Sequence, residues 1–290
     1  MAHNLSQDTS TLARLQENLS VAEERLLLVQ EQRTLCASML AHHICQDERS
    51  LTELFDRFLH TVKDANEVTK ACFCQAYIQR HQKEKSVSPE VLLGMNETPS
   101  AGSHGKIALV RNRYNERAYE CFENLVIGAK PYYASDFAEA CDSVYNGQCS
   151  YCILPLENSA NGRLFGFYSL MDRYDLKICS IAEMDGSNAS ETVRYALVGR
   201  SLPRGIAKAS AYALEFSLTR ADGGQMSDLL SAASILGATL ERVDFLPLEY
   251  DHSFYRAFFT MRLSAANASA FALYLTLCHQ NHTPLGFYTI

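Results

Sequence analysis

The chain has 290 residues, of which 47% are hydrophobic and 20% charged, with a formal net charge of −7. That length allows two or three compact domains, and the composition is that of an ordinary soluble globular protein. The acidic balance and the scatter of Lys and Arg along the chain exclude a general nucleic-acid binder.

No apolar run approaches the roughly 18 to 20 residues needed to span a bilayer, so no membrane partner is expected. The opening residues, Met1 to Asp8, have neither a basic nor an apolar leader character, and no signal peptide is expected. Ten cysteines read as reduced, mostly buried thiols of a cytoplasmic protein. Cys149 and Cys152 have C-x-x-C spacing but fall on an apparent strand, where they would face opposite sides. Cys278-His279 with His282 lacks a second cluster to complete a metal site. Neither a metal nor a cofactor is expected.

Thr9 or Ser10 reads as the N-cap of a long helix. Along it Leu12, Leu15, Leu19, Ala22, Leu26, Val29, Arg33, Cys36, Leu40 and His43 alternate at spacings of three and four. That seam is sustained over more than four heptads, on the order of 30 residues, and predicts lengthwise packing against other helices or a second subunit. Arg33 is the guanidinium on the seam and requires an anion there. Two readings stay open: an ion pair within the protein, for which Glu48 is a candidate, and a clamp on an anionic ligand. A break at 44–47 leads to a second helix, Glu48 to Lys63, and a third, Ala65 to Lys83. Residues 86–105, rich in Pro, Gly and Ser, read as a linker.

Lys106 to Val110 is a short apolar strand, followed by a basic turn without glycine at 111–117. Phe137 to Tyr145 reads as a helix. Tyr151 to Leu154 is a buried strand, and from Pro155 the chemistry changes to Glu157, Asn158, Ser159, Asn161 and Gly162. A polar turn beyond the carboxyl end of a strand is where open α/β sheets hold ligands. After a polar turn at 185–191, Thr192 to Arg200 is a strand. From Ser210 the order is strand, a turn at 222–224, helix (225–236), strand (238–245), strand (254–263), helix (268–279) and strand (285–290), a ferredoxin-like βαββαβ succession.

Pro155-Leu156-Glu157-Asn158-Ser159-Ala160-Asn161-Gly162 resembles the Pro-Ile-Glu-Asn-Ser/Thr-x-x-Gly signature of prephenate dehydratases, and Ser169 to Ile178 resembles their next helix and strand. Thr192-Val193-Arg194-Tyr195 resembles their Thr-Arg-Phe segment, with the family's catalytic threonine falling on Val193. Glu17 to Leu27, followed by Arg33, resembles the chorismate mutase module fused ahead of prephenate dehydratase in the bifunctional enzymes. Leu285-Gly286-Phe287-Tyr288 resembles the closing strand of their phenylalanine-binding ACT domain, whose Glu-Ser-Arg-Pro motif falls on Asp244-Phe245-Leu246-Pro247.

The chain thus resembles a divergent member of the bifunctional chorismate mutase/prephenate dehydratase family, with eroded motifs and one dehydratase lobe missing. The fold expected is multidomain, α and α/β. It comprises a three-helix mutase-like dimerisation domain (1–85), a linker (86–105), a single dehydratase-like α/β lobe (106–204) and an ACT-like regulatory domain (205–290).

The resemblance implies mutase catalysis by Arg33 and Glu48. It implies substrate contacts from Arg14, Gln82, Glu157, Asn158, Ser159 and Arg194, and effector contacts from Gly223, Gly224, Asp244 and Pro247. The ligands implied are chorismate or prephenate and an aromatic amino acid, and the assembly is a homodimer through the N-terminal helices. The pathway implied runs from chorismate through prephenate to phenylpyruvate, with dehydratase activity lost at Val193 and mutase activity weakened by missing cations. The alternatives are a non-catalytic paralogue that binds such a ligand in a regulatory role, and a helical scaffold.

Overall fold

A computed structural model describes residues 2–46, 49–62, 65–83, 87–95, 105–159, 162–185, 191–200, 209–219, 223–248 and 251–290. The chain divides into two compact units, Met1–Arg80 and His81–Ile290.

The first unit is helical: α1 (Ala2–Ile44), α2 (Leu51–Thr61) and α3 (Glu67–His81, which runs to the unit boundary). The long helix begins ahead of the cap expected at Thr9 or Ser10. The second begins later than Glu48, because Ser50 caps it. The Ser50 Oγ accepts the Glu53 N–H at 3.4 Å, in a Ser-x-x-Glu order suited to a capping box. Asn66 does the same for α3, its Oδ1 accepting the Thr69 N–H at 3.1 Å. Among the described residues of α1, the last turns are the covered part: Ala37, Ala41 and Ile44 are buried, together with Leu54, Phe55 and Phe58 of α2 and Phe73 of α3. Phe73 anchors this small core, its ring lying 4.8 Å from that of Phe58 and 5.5 Å from that of Phe55. Of the expected seam, Leu12 to His43, the part from Leu12 to Val29 lies on the exposed part of α1.

The second unit is built on one ten-stranded sheet. A short helix, α4 (Pro89–Leu92), precedes β1 (Lys106–Val110), α5 (Arg113–Phe122), β2 (Lys130–Ala134), α6 (Phe137–Tyr145), β3 (Tyr151–Asn158), β4 (Gly162–Arg163) and α7 (Phe165–Tyr174). Then come β5 (Lys177–Asp185), β6 (Thr192–Gly199), β7 (Ala211–Thr219), α8 (Gly223–Ile235), β8 (Thr239–Leu248), β9 (Asp251–Ser264), α9 (Ala268–Cys278) and β10 (His282–Thr289). The strand order is β2-β1-β3-β6-β5-β10-β7-β9-β8, with β4 paired to β3. Within it β10-β7-β9-β8 is the ferredoxin-like order.

The residues expected to form a lobe and a separate regulatory domain therefore share a sheet. The junction is parallel pairing of β5 and β10 at Ile178 and Gly286. A Cβ on Gly286 would stand 2.6 Å from that of Ile178, so only glycine permits the approach.

Several expectations are corrected. The basic turn at 111–117 opens α5, because the Asn112 side chain accepts the Tyr114 and Asn115 N–H groups and caps it. Part of the supposed linker is packed structure: Val87, Leu93 and Met95 are buried, and Thr276 of α9 donates its hydroxyl to the Leu92 carbonyl at 3.0 Å. β3 does not stop at Pro155. The ladder to β6 shifts register between Pro155 and Glu157, and this irregularity absorbs the missing proline N–H and lets the strand continue to Asn158. Cys149 precedes the strand, so it and Cys152 meet in the same core cluster, not on opposite faces. The Gly223-Gly224 turn is the start of α8.

The sheet has two occupied faces. Ile107, Leu109, Ile153 and Leu197 pack with Ala118 and Phe122 of α5 on one face. Cys152, Leu154, Leu156, Ala196 and Val198 pack with α6 and α7 on the other. In the ferredoxin-like half, Phe216 stacks on Phe259 at 5.1 Å and meets Phe271 of α9 at 6.3 Å, which defines the helix-covered face. Ala213 and Phe258 point the other way, into the α6/α7 cluster, and Tyr168 of α7 lies 4.0 Å from Phe258. The sheet therefore wraps α7.

Candidate functional site

The end of β3 is where the chemistry collects. Glu157 pairs in register with Arg194 of β6, and Arg194 pairs with Glu183 of β5, which sets an acid–base–acid row across three strands. The Arg194 Nη1 donates to Glu157 at 3.4 Å, while its Nε stands 3.7 Å from Glu183. That Nε is buried and has no hydrogen-bond partner among the described residues.

A second guanidinium arrives from the far end of the sheet. Arg242 of β8 donates Nη1 to the other Glu157 oxygen at 2.7 Å and Nε to Asp244 at 2.8 Å. This contact is possible because Arg242 and Asp244, paired with Thr260 and Phe258, lie on the face of β8 opposite α9, the one that wraps α7. Burial works against the charge of Arg242, but the hydrogen bond and charge of Asp244, and then Glu157, outweigh it and raise its pKa. Two arginines thus hold opposite oxygens of one carboxylate, a geometry that can also receive the carboxylate of a ligand.

Strand alternation divides the rest of the motif. Asn158 pairs with Val193, which packs into the α5 cluster, so Asn158 and Glu157 lie on opposite faces. Ser159 begins the turn toward β4 and is held to β6 twice: its N–H donates to the Thr192 carbonyl, and its Oγ accepts the Thr192 N–H, both at 2.9 Å. Gly162 closes the turn with φ at +72°, a conformation suited to glycine. Between β5 and β6 lie only residues 186–191, which leaves no room for a second α/β lobe at that point.

The remaining sequence candidates are spread along the chain. Arg14 and Arg33 are exposed on α1, and Glu48 lies outside the described residues, so its pairing with Arg33 does too. Gln82 is exposed just beyond α3. Gly223 and Gly224 start α8, and Pro247 is in β8. Asp244, expected to hold an effector, accepts from Arg242, which also donates to Glu157.

Sequence reasoning missed Arg242. Its only sequence signal is alternation with Asp244 along a strand, and its partner Glu157 is 85 positions away. The histidines of the Cys278 stretch are engaged locally: His279 Nε2 meets the Tyr274 hydroxyl at 3.1 Å, and His282 Nδ1 meets the His279 carbonyl at 2.8 Å.

No protein-family model matches the chain, and no curated protein matches it in sequence. Solved structures match its fold. A protein described as GqqA, a novel type of quorum-quenching acylase, is similar with a TM-score of 0.50 and 20% identity, over 64% of this chain and 95% of that one. Prephenate dehydratase from Streptococcus mutans is similar with a TM-score of 0.53 and 18% identity, over 63% of this chain and 97% of that one. At these identities the likeness is one of fold.

Proposed function

We propose that the chain is a divergent relative of the chorismate mutase/prephenate dehydratase family that binds a small aromatic or shikimate-type carboxylate without dehydrating it. The observation that supports this reading is the Arg194–Glu157–Arg242 cluster at the Pro155–Gly162 motif. Its guanidiniums suit a carboxylate, but dehydration needs an acid at the leaving hydroxyl as well. Where the resemblance puts a catalytic threonine, Val193 packs into an apolar cluster on the opposite face of β6.

Incubation of the purified chain with prephenate, followed by phenylpyruvate absorbance, is expected to give turnover far below the roughly 1 per second of a working enzyme. Calorimetry with prephenate, chorismate, phenylpyruvate and phenylalanine is expected to give saturable binding of at least one of them. Turnover at an enzymatic rate, or no binding by any of the four, defeats the proposal.

A second reading, chorismate mutase activity, is favoured by Arg33 on the heptad seam of α1. It requires self-association of the helical unit, because such a site works by surrounding a dianion with cations. Chorismate consumption that disappears in Arg33→Ala while the oligomer persists would support it. Chorismate left unchanged by the parent protein would remove it.

A further inference from the structure

Arg242 belongs to none of the motifs that carry the family resemblance, yet it faces the one that does. A guanidinium has five N–H donors in a rigid planar fork. Arg242 places Nε on Asp244 and Nη1 on Glu157, and its Nη2 makes no hydrogen bond among the described residues. That same Nη2 is the one described atom near the position a Cβ on Gly162 would take, at 3.8 Å. Among the described residues, that position is bordered by this unused donor pair alone.

Arg194, on the far side of Glu157, also holds donors in reserve. Its contact to Glu157 is long at 3.4 Å, and its buried Nε has only Glu183 at 3.7 Å, beyond hydrogen-bonding range. The aligned charges of Asp244 and Glu157 fix the fork of Arg242, so its free edge is presented at little cost in side-chain entropy.

We infer that Arg242 is a ligand-anchoring residue, its free Nη2 edge receiving the carboxylate of a small organic acid over Gly162, with Arg194 as the second cation. The ferredoxin-like half thereby supplies one wall of the site that the β3 motif begins. The inference rests on the proposed reading of the β3 end as a ligand site, and it adds the residue and strand that complete it.

The test is calorimetric titration of the full chain with phenylpyruvate, an aromatic 2-oxo acid, and separately with inorganic sulfate. Arg242→Lys retains a cation beside Glu157 and Asp244, which protects the fold, but it removes the fork. Arg262→Lys, at an exposed arginine of β9, is the control for the change of residue type.

A charge-assisted hydrogen bond of this kind corresponds to about tenfold or more in affinity. Loss of that size for phenylpyruvate in Arg242→Lys, with Arg262→Lys unchanged and sulfate bound at least tenfold more weakly than phenylpyruvate by the parent chain, is the expected result. Phenylpyruvate binding that survives Arg242→Lys within twofold overturns the inference alone and leaves the ligand-site reading intact. Sulfate bound as tightly as phenylpyruvate overturns the carboxylate assignment. If the parent chain binds neither phenylpyruvate nor the other carboxylates named above, the inference and the reading beneath it fall together.

Discussion

Two apolar helices of this chain meet opposite fates. In α9, Phe271, Leu273 and Leu275 are completely buried, whereas in α1 Leu12, Leu15, Leu19 and Leu26 are each more than half exposed. The difference lies in where each helix finds a partner. α9 covers a sheet that its own chain supplies, and it needs no charged face because α4 closes over it from the other side. α1 presents a seam of the length that two-stranded packing uses, and the first unit's small core, anchored on Phe73, covers its last turns and leaves Leu12 to Val29 exposed. An apolar stripe that is completed inside the chain stabilises the fold. One that is not completed is expected to drive self-association.

The sharpest way to break that comparison is at the seam. Leu19→Glu with Leu26→Glu is expected to convert a self-associating protein into a monomer in sedimentation velocity, without moving the melting transition of the second unit. A parent chain that is already monomeric at micromolar concentration would remove the contrast.

The next largest effect belongs to the completed core. Phe271→Ala is expected to destabilise the second unit by about 3 to 5 kcal/mol, through lost transfer energy and the cavity left among Phe216, Phe259 and Tyr274. A loss below about 1 kcal/mol in chemical denaturation would mean that the α9 face is loosely packed.

A smaller effect is expected where the face of the sheet opposite α9 meets α7. Glu215 is fully buried there and accepts the Tyr288 hydroxyl at 2.6 Å. Tyr288→Phe removes that donor and is expected to cost about 1 to 3 kcal/mol. Stability equal to that of the parent would show the bond to be dispensable. The smallest effect is expected at Gly94, where φ is +66° and, among the described residues, nothing stands within 4 Å of an added Cβ. Gly94→Ala is expected to cost about 1 to 2 kcal/mol of left-handed backbone strain alone. The same change at Gly105 is expected to cost more, since its Cβ would lie 2.5 Å from the Ile127 carbonyl.

Local signals carried much of the architecture. Phe137 to Tyr145 and Lys106 to Val110 fall where the periodicity puts them, and the βαββαβ succession is present with shifted ends. Misreadings arose where one strong local rule met another. Pro155 reads as the end of a strand, but the register shift beside it lets pairing continue. Arg111 to Arg117 reads as a solvated basic turn, but Asn112 is an N-cap, Arg113 is the exposed first residue of a helix and Arg117 is half-buried within it.

At the site, Glu157 and Arg194 could be named from the motif and its following segment. Their pairing across β3 and β6 depends on register, and Arg242 depends on the wrapping of the sheet round α7. Such contacts follow from tertiary topology, which no local window contains.

The junction between β5 and β10 also bears on whether the second unit can be divided. The link between β6 and β7 looks like a natural place to cut, and a fragment ending there would retain every residue of the β3 motif. It would also leave the backbone of β5 without its neighbour, and Phe167 and Tyr168 without the sheet face that packs round α7. A bare strand edge beside an uncovered aromatic surface is a template for aggregation. The two halves are therefore inseparable in a practical sense. Neither can be borrowed, swapped or expressed by itself without its broken edge finding another chain to pair with.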